Sequence, residues 1–380
     1  MRRVLSLSAV LLLLWVGLAL AATEVVCIVD TDATQNPDYT SLAAAIAGET
    51  GASPKCVTSA DLVANDEQLT IECRASSGAA DTTPVTISGF TTSADCYVKI
   101  YVPPEHRHNG IYDDQKYRIE ANAAYAGIID PAIAYLKING LQGRNTYSGS
   151  GVGYFIRKAT ARPAGFLIIE NCLSSPGSST SRGGIDINEV SANDYISIKN
   201  TIIYGCTGSD SIHVRGGPSK VVYDLEIYNC VAHGSSIYSV KVERIDTGGS
   251  VSIKNVAAIG ASTADFHIID VSGTEAYSNN ASSDSTAPGD DSLINQIEAD
   301  LFSDPSAGDF SLVSNSPLID AGIGPALDSN VPTTDIVGNP RSGNTCSIGA
   351  FEYVAGPKWN GITPAKWNGV DWSNLKWNGM

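Results

Sequence analysis

The sequence predicts an all-β protein, a parallel β-helix solenoid whose short strands wind into stacked rungs, and two regularities predict it. Five runs close on Asn or Gly at nearly constant intervals: 136–140 (LKING), 167–171 (LIIEN), 196–200 (ISIKN), 225–229 (LEIYN) and 251–255 (VSIKN). Their closing residues lie 31, 29, 29 and 26 positions apart. A period of this size marks a solenoid, because one supersecondary unit cannot bury its apolar face alone and must stack on its neighbours. Inside each run apolar and polar residues alternate, which is the strand period. A helical repeat would instead place apolar residues at i, i+3 and i+4 over a dozen positions, and those are missing.

The recurring Asn has a physical reason of its own. A coil of three strands per turn needs tight corners, and Asn tolerates the left-handed backbone such a corner demands. Stacked in successive rungs, Asn171, Asn200, Asn229 and Asn255 are placed to hydrogen-bond side chain to side chain as a ladder. On these runs and this Asn column, residues 125–287 resemble the right-handed parallel β-helix proteins of the pectate-lyase-like class. The resemblance implies the architecture far more specifically than any activity.

The chain opens with Met1-Arg2-Arg3, an apolar stretch from Val10 to Leu20, and small residues at Ala19-Leu20-Ala21. That is the layout of a secretory signal peptide over residues 1–22, so a secreted, extracellular or cell-surface location is expected. No later segment approaches the roughly 20 apolar residues of a membrane span. An oxidising compartment permits disulfides. Cys27, Cys56, Cys73 and Cys96 cluster in the first hundred residues and are candidates to staple that region, with the pairing left open. Cys172 and Cys230 occupy equivalent places two rungs apart, roughly 10 Å at strand spacing, too far to bridge. They are expected as buried apolar groups. The net charge of −16 argues against nucleic acid and anionic membranes, which need clustered Lys and Arg.

Residues 23–124 precede the repeats and read as an N-terminal capping region, since an open first rung would expose apolar surface and strand edges. An Ala-rich helix over 39–47, capped by Asp38 and stopped by Gly48, is expected there. After the coil, residues 288–355 carry DFSL at 309, SPLIDAG at 316, DIVGNPR at 335 and SIGAFEY at 347. Their order resembles the C-terminal region of exported bacterial β-helix proteins called choice-of-anchor Q domains, which implies a C-terminal capping region. Asp335, Arg341 and Glu352 are expected to form a structural ion-pair group there. Residues 356–380 form a tail with three KWNG copies, around Trp359, Trp367 and Trp377. Asn-Gly favours a tight turn, and exposed Trp at this density points to contact with a partner, a surface or the coil's own flank.

In each rung a second strand precedes the Asn-ending one: 154–157, 185–188, 212–215, 240–243 and 266–269. Aligning their buried aliphatics puts Phe155, Asp186, His213, Lys241 and His267 in one outward column, and Arg157, Asn188, Arg215, Glu243 and Ile269 in the next. Neighbours in a column stand about 4.8 Å apart and residues two apart on a strand about 6.7 Å, so one sugar ring covers several of them. In the pectin-degrading relatives that the resemblance implies, the catalytic groups sit on the corresponding sheet. Asp186, His213 and Lys241 are therefore the catalytic candidates, and Arg157, Asn188, Asp210, Arg215, Glu243, His267 and the three tail Trp the binding candidates. Lyase chemistry requires a basic side chain, here Lys241 or Arg215, and calcium held by carboxylates, for which Asp186 and Glu243 are nearest. Hydrolysis requires two or three carboxylates at set separations. Residues 184–188 and 209–213 loosely resemble the polygalacturonase core. Only Asp210 falls on a catalytic acid of that family, while Gly183 and Ser209 replace others and its Gly-His-Gly and Arg-Ile-Lys signatures are missing.

Two further patterns read as ordinary loops. Asp30, Asp32, Thr34, Asn36 and Asp38 alternate like a calcium loop, yet the Gly and Glu of an EF-hand are lacking. The segment 105–108 (EHRH) offers two imidazoles with no third zinc ligand. The chain thus reads as an exported, non-catalytic β-helix, needing no cofactor, that presents a rigid face to polysaccharide or cell-envelope glycan. The alternatives are a polysaccharide lyase or glycoside hydrolase acting on that face, and a structural subunit of an extracellular fibre or virion appendage that self-associates through its tail.

Overall fold

A computed structural model describes residues 21–149, 151–158, 163–176, 182–217 and 221–354. They form a right-handed parallel β-helix with three sheets running its length. The first sheet has nine strands: Thr23–Asp30, Glu67–Arg74, Val98–Tyr101, Tyr135–Asn139, Phe166–Glu170, Asp194–Lys199, Tyr223–Tyr228, Ser250–Lys254 and Thr274–Ser278. The second follows the Asn corner: Arg118–Ala121, Gln142–Asn145, Leu173–Ser174, Ile202–Tyr204, Val231–His233, Ala257–Ile259 and Ala281–Ser282. The third comprises Val85–Ile87, Gly127–Pro131, Gly153–Lys158, Arg182–Val190, Ile212–Gly216, Tyr238–Ile245 and Ala264–Val271. Residues 23–124 thus supply five strands of the stack besides covering its end.

The core follows from the alternation. Ile138, Ile169, Ile198, Ile227 and Ile253 pair in register from rung to rung, and each is wholly buried. At the corner, Asn171, Asn200, Asn229, Asn255 and Asn279 all take positive φ, between 48° and 57°, and Gly140 does so at 84°. The ladder forms in two pieces. Asn200 donates to Asn171 (3.2 Å) and Asn171 to Asn139 (3.3 Å), while Asn255 donates to Asn229 (3.2 Å). Between Asn200 and Asn229 it is broken by the C-terminal segment: Arg341 donates to the Asn200 amide oxygen (2.6 Å), and Asn229 donates to the Ser347 carbonyl (3.4 Å).

That segment does not lie only across an end of the coil, as a cap would. Leu173, Ile202, Tyr204, Val231, Ala257 and Ile259 point outward from the second sheet and meet Leu301, Phe302, Phe310, Leu318, Ile336, Ile348 and Phe351 in a second core. Amides of Asn255 and Asn279 donate to the Ile323 and Ala321 carbonyls, both 2.9 Å. Residues 298–354 are therefore a lateral strap over the outer face of the second sheet, which is why Ile202–Tyr204 and Ala257–Ile259 carry apolar side chains on both faces. Asp335, Arg341 and Glu352 lock it. Arg341 is buried and lies 3.4 Å from Glu352, and Asp335 accepts the Glu352 backbone N–H at 2.9 Å.

Two local expectations need correction. The helix runs over Leu42–Glu49 with Ser41 as its N-cap, accepting the Ala44 N–H at 3.1 Å. Asp38 instead accepts from Ile28 N at 2.8 Å, a tertiary bond that no local rule foresees. His108 is buried rather than solvated: its Nδ1 accepts from Gly110 N and its Nε2–H donates to the Asn171 carbonyl at 2.9 Å. Burial, aided by the nearby Arg107 charge, pushes its pKa down to about 3, so it is a neutral structural imidazole. In the Asp30–Asp38 stretch, Asp30 and Asp32 accept the Asp32 and Thr34 N–H groups, and Asp30 also accepts from the distant Ser76 N–H. Cys172 and Cys230 are fully buried, as their spacing predicts.

Candidate functional site

The outward face of the third sheet collects most of the predicted residues. Parallel register sets Arg157 beside Asp186, Asp186 beside His213, His213 beside Lys241, and Lys241 beside His267. Phe155 is not in this column. It is buried, and its ring lies where a Cβ on Gly143 would reach within 2.7 Å, so the missing side chain on the neighbouring strand admits it to the core. Arg157 takes its place, two residues later than the apolar alignment predicts. The second column holds for Arg215, Glu243 and Ile269. Asn188 leaves it, because the register between Arg182–Val190 and Ile212–Gly216 shifts after Ile187. A bulge of this kind re-aims a side chain, and Asn188 turns back to donate to Asp186 Oδ1 at 2.7 Å.

The geometry is a closed ionic network around one imidazole. His213 Nδ1 lies 3.2 Å from Asp186 and 3.7 Å from Asp210, while its Nε2 lies 3.2 Å from Glu243. Arg157 Nε donates to Asp186 at 3.0 Å, and its Nη1 donates to the Tyr125 carbonyl. Lys241 lies 3.5 Å and Arg215 Nε 3.7 Å from Glu243. The acids lie deep, with side-chain exposure of 5–10 %, and the three cations stand above them at 20–32 %. Burial works against Glu243's charge, but the His213 hydrogen bond and the Lys241, His213 and Arg215 charges outweigh it and hold its carboxyl below the usual range. Asp210 goes the other way: burial raises it, against His213 and the Tyr238 N–H that it accepts at 3.1 Å.

Three groups here escaped the sequence reading. Asp130 stands one rung before Arg157, since Ile129 pairs with Ile156, and burial raises its pKa against the charges of Lys158 and Arg157. Tyr154 lies under the Arg157 guanidinium at 4.8 Å. Tyr238 stacks on His267 with ring centroids 4.1 Å apart and planes 9° from parallel. A search for rings at strand starts would have flagged both tyrosines, because each begins or nearly begins its strand. Asp130 gives no local signal, as its strand lies before the first periodic run.

The donor set does not fit the calcium that lyase chemistry would use. Glu243 is already shared among His213, Lys241 and Arg215, and Asp186 among Arg157, His213 and Asn188. Among the described residues, the only group of three Cys, His, Asp or Glu side chains with donor atoms within 4.8 Å of one another is Cys27, Glu49 and Cys56, far along the chain from this face. Trp359, Trp367 and Trp377 lie outside the described residues, as does the segment read as a signal peptide except its last two positions. No described helix is long and apolar enough to cross a membrane.

No family model matches the chain, and no curated protein matches it. Among solved structures, it is similar to a crystal structure of the pectate lyase Pel9A, with 14% identity, a TM-score of 0.42, and coverage of 88% of this chain and 97% of that one.

Proposed function

We propose that this protein is an exported, non-catalytic β-helix that binds a neutral, hydroxyl-rich polysaccharide along the outer face of its third sheet. The observation that carries the reading is the unbroken column of ionisable side chains Asp130–Arg157–Asp186–His213–Lys241–His267, one residue per rung. Such a ridge offers polar groups at intervals of about 4.8 Å, on a backbone too rigid to lose much entropy on binding. Its acids and bases pair with each other, so the face is nearly charge-balanced. A net charge of −16 also disfavours a polyanionic partner. The half-buried rings of Tyr154 and Tyr238 flank the ridge, where ring faces pack against the C–H faces of sugars. Export rests on the N-terminal sequence pattern.

The test is binding of the mature protein to a panel of neutral and acidic polysaccharides, with Arg157→Ala, Lys241→Ala and Tyr238→Ala as variants. Each should lose at least about tenfold in affinity, some 1.4 kcal/mol, while melting within a few degrees of the parent. Equal affinity in all three moves the ligand to another face.

One observation favours a second reading, a glycoside hydrolase. Asp210, raised by burial, and Asp186 share His213 Nδ1, an acid–carboxylate pair of the kind such enzymes use. New reducing ends from the parent and none from Asp210→Asn would establish it in place of simple binding.

A further inference from the structure

The first strand and the loop after the helix bring two cysteines together beside a buried acid. Cys27, in Thr23–Asp30, is fully buried; Cys56, in the loop, is partly exposed. Their sulfurs and a Glu49 carboxylate oxygen all lie within 4.8 Å of one another. The Glu49 carboxylate is already engaged, accepting from Tyr39 OH (2.7 Å), Lys55 N (3.0 Å), Cys56 N (3.1 Å) and Val57 N (2.9 Å). A metal ion would have to strip those bonds away. Two sulfurs within 4.8 Å of one another have another way to bond.

We propose that Cys27 and Cys56 form a disulfide in the oxidised protein, pinning the end-covering helix to the first strand of the coil. Two S–H bonds break and one S–S bond forms. The two electrons and two protons pass to an external disulfide, which leaves as two thiols. Cys56, the more exposed, takes the mixed disulfide first, and Cys27 resolves it. The bond joins residues 29 positions apart and encloses Leu42–Glu49, whose Leu42, Ala45 and Ile46 cover the apolar end of the stack. Fraying of that end would expose the unpaired edge of Thr23–Asp30, so a covalent tie there guards the whole coil. In the cell, the oxidant is supplied only if the protein is exported, and to that extent the proposal rests on the export reading.

The experiment uses the purified mature chain incubated with oxidised glutathione, then alkylated under denaturing, non-reducing conditions and mapped by mass spectrometry. The expected result is one cross-linked peptide pair containing Cys27 and Cys56, absent from Cys56→Ser. The oxidised parent should melt several degrees above the dithiothreitol-treated parent, while Cys56→Ser should melt the same with and without reductant. Full alkylation of both residues, a different pairing, or stoichiometric zinc on the untreated protein overturns the proposal. Mapping protein from the culture medium and from cells separates the two readings. A chain that stays inside with free thiols but cross-links in vitro refutes export and leaves the disulfide standing.

Discussion

Replacing Ile227 with Asp tests the inward column directly. Ile227 is 0 % exposed and packed in register between Ile198 and Ile253. Losing a buried isoleucine side chain costs about 2 kcal/mol. A lone carboxylate in that stack has no partner and stays neutral instead, which at pH 7 costs about 4 kcal/mol from an unfolded pKa near 3.9. The sum, about 6 kcal/mol, corresponds to a fall in melting temperature of more than about 10 °C for a chain of this size. The variant's acid has a raised pKa when folded, so the folded state binds a proton that the unfolded state releases. Its penalty is therefore largest at neutral pH and shrinks by about 2.7 kcal/mol between pH 7 and pH 5. Thermal melts followed by far-ultraviolet circular dichroism at both pH values measure this, with Ile297→Asp as the control. Ile297 is 66 % exposed, so that change should cost under about 1 kcal/mol. A variant that melts with its parent, or whose deficit is identical at the two pH values, refutes the inward stack.

Asn200→Ala should cost about 3 kcal/mol in denaturant unfolding: about 1 for an alanine at φ 48° and the rest for depriving buried Arg341 of an acceptor. Asn200→Gly should recover the backbone part alone, and equal losses in both would show that the left-handed corner does not matter. His108, with a folded pKa of about 3 against an ordinary 6.5, contributes fully above about pH 6.5 and loses that contribution as pH falls towards 3, because the unfolded chain takes the proton first. Its imidazole resonances should stay unchanged from pH 8 to 5, and titration in that range would place the ring in solvent. Deleting residues 357–380 should leave melting almost unchanged and abolish self-association in analytical ultracentrifugation. Loss of several degrees with association intact would make the tail part of the fold.

Much of the coil was legible because its signals are local. The 26–31-residue period, the alternation within each run and an Asn or Gly at each corner depend only on neighbours in sequence, and the strands and positive φ values follow them. The same patterns placed Asp186, His213, Lys241, Arg215, Glu243 and His267 on one face. Other features depended on contacts between distant residues. Phe155 turns inward because Gly143 leaves room for its ring, and Asn188 leaves its column at a bulge that no periodicity marks. Asp130 joins the ridge from a rung before the first repeat. The strap over the second sheet is likewise tertiary: outward apolar residues such as Ile202 and Val231 look like any core positions until residues 298–354 arrive to cover them. Sequence alone set the period, the corners and the polarity of each strand, since those are properties of short segments. Only the folded chain decided which charges neutralise one another and which surface stays open, because burial and ion pairing are set by residues far apart in sequence.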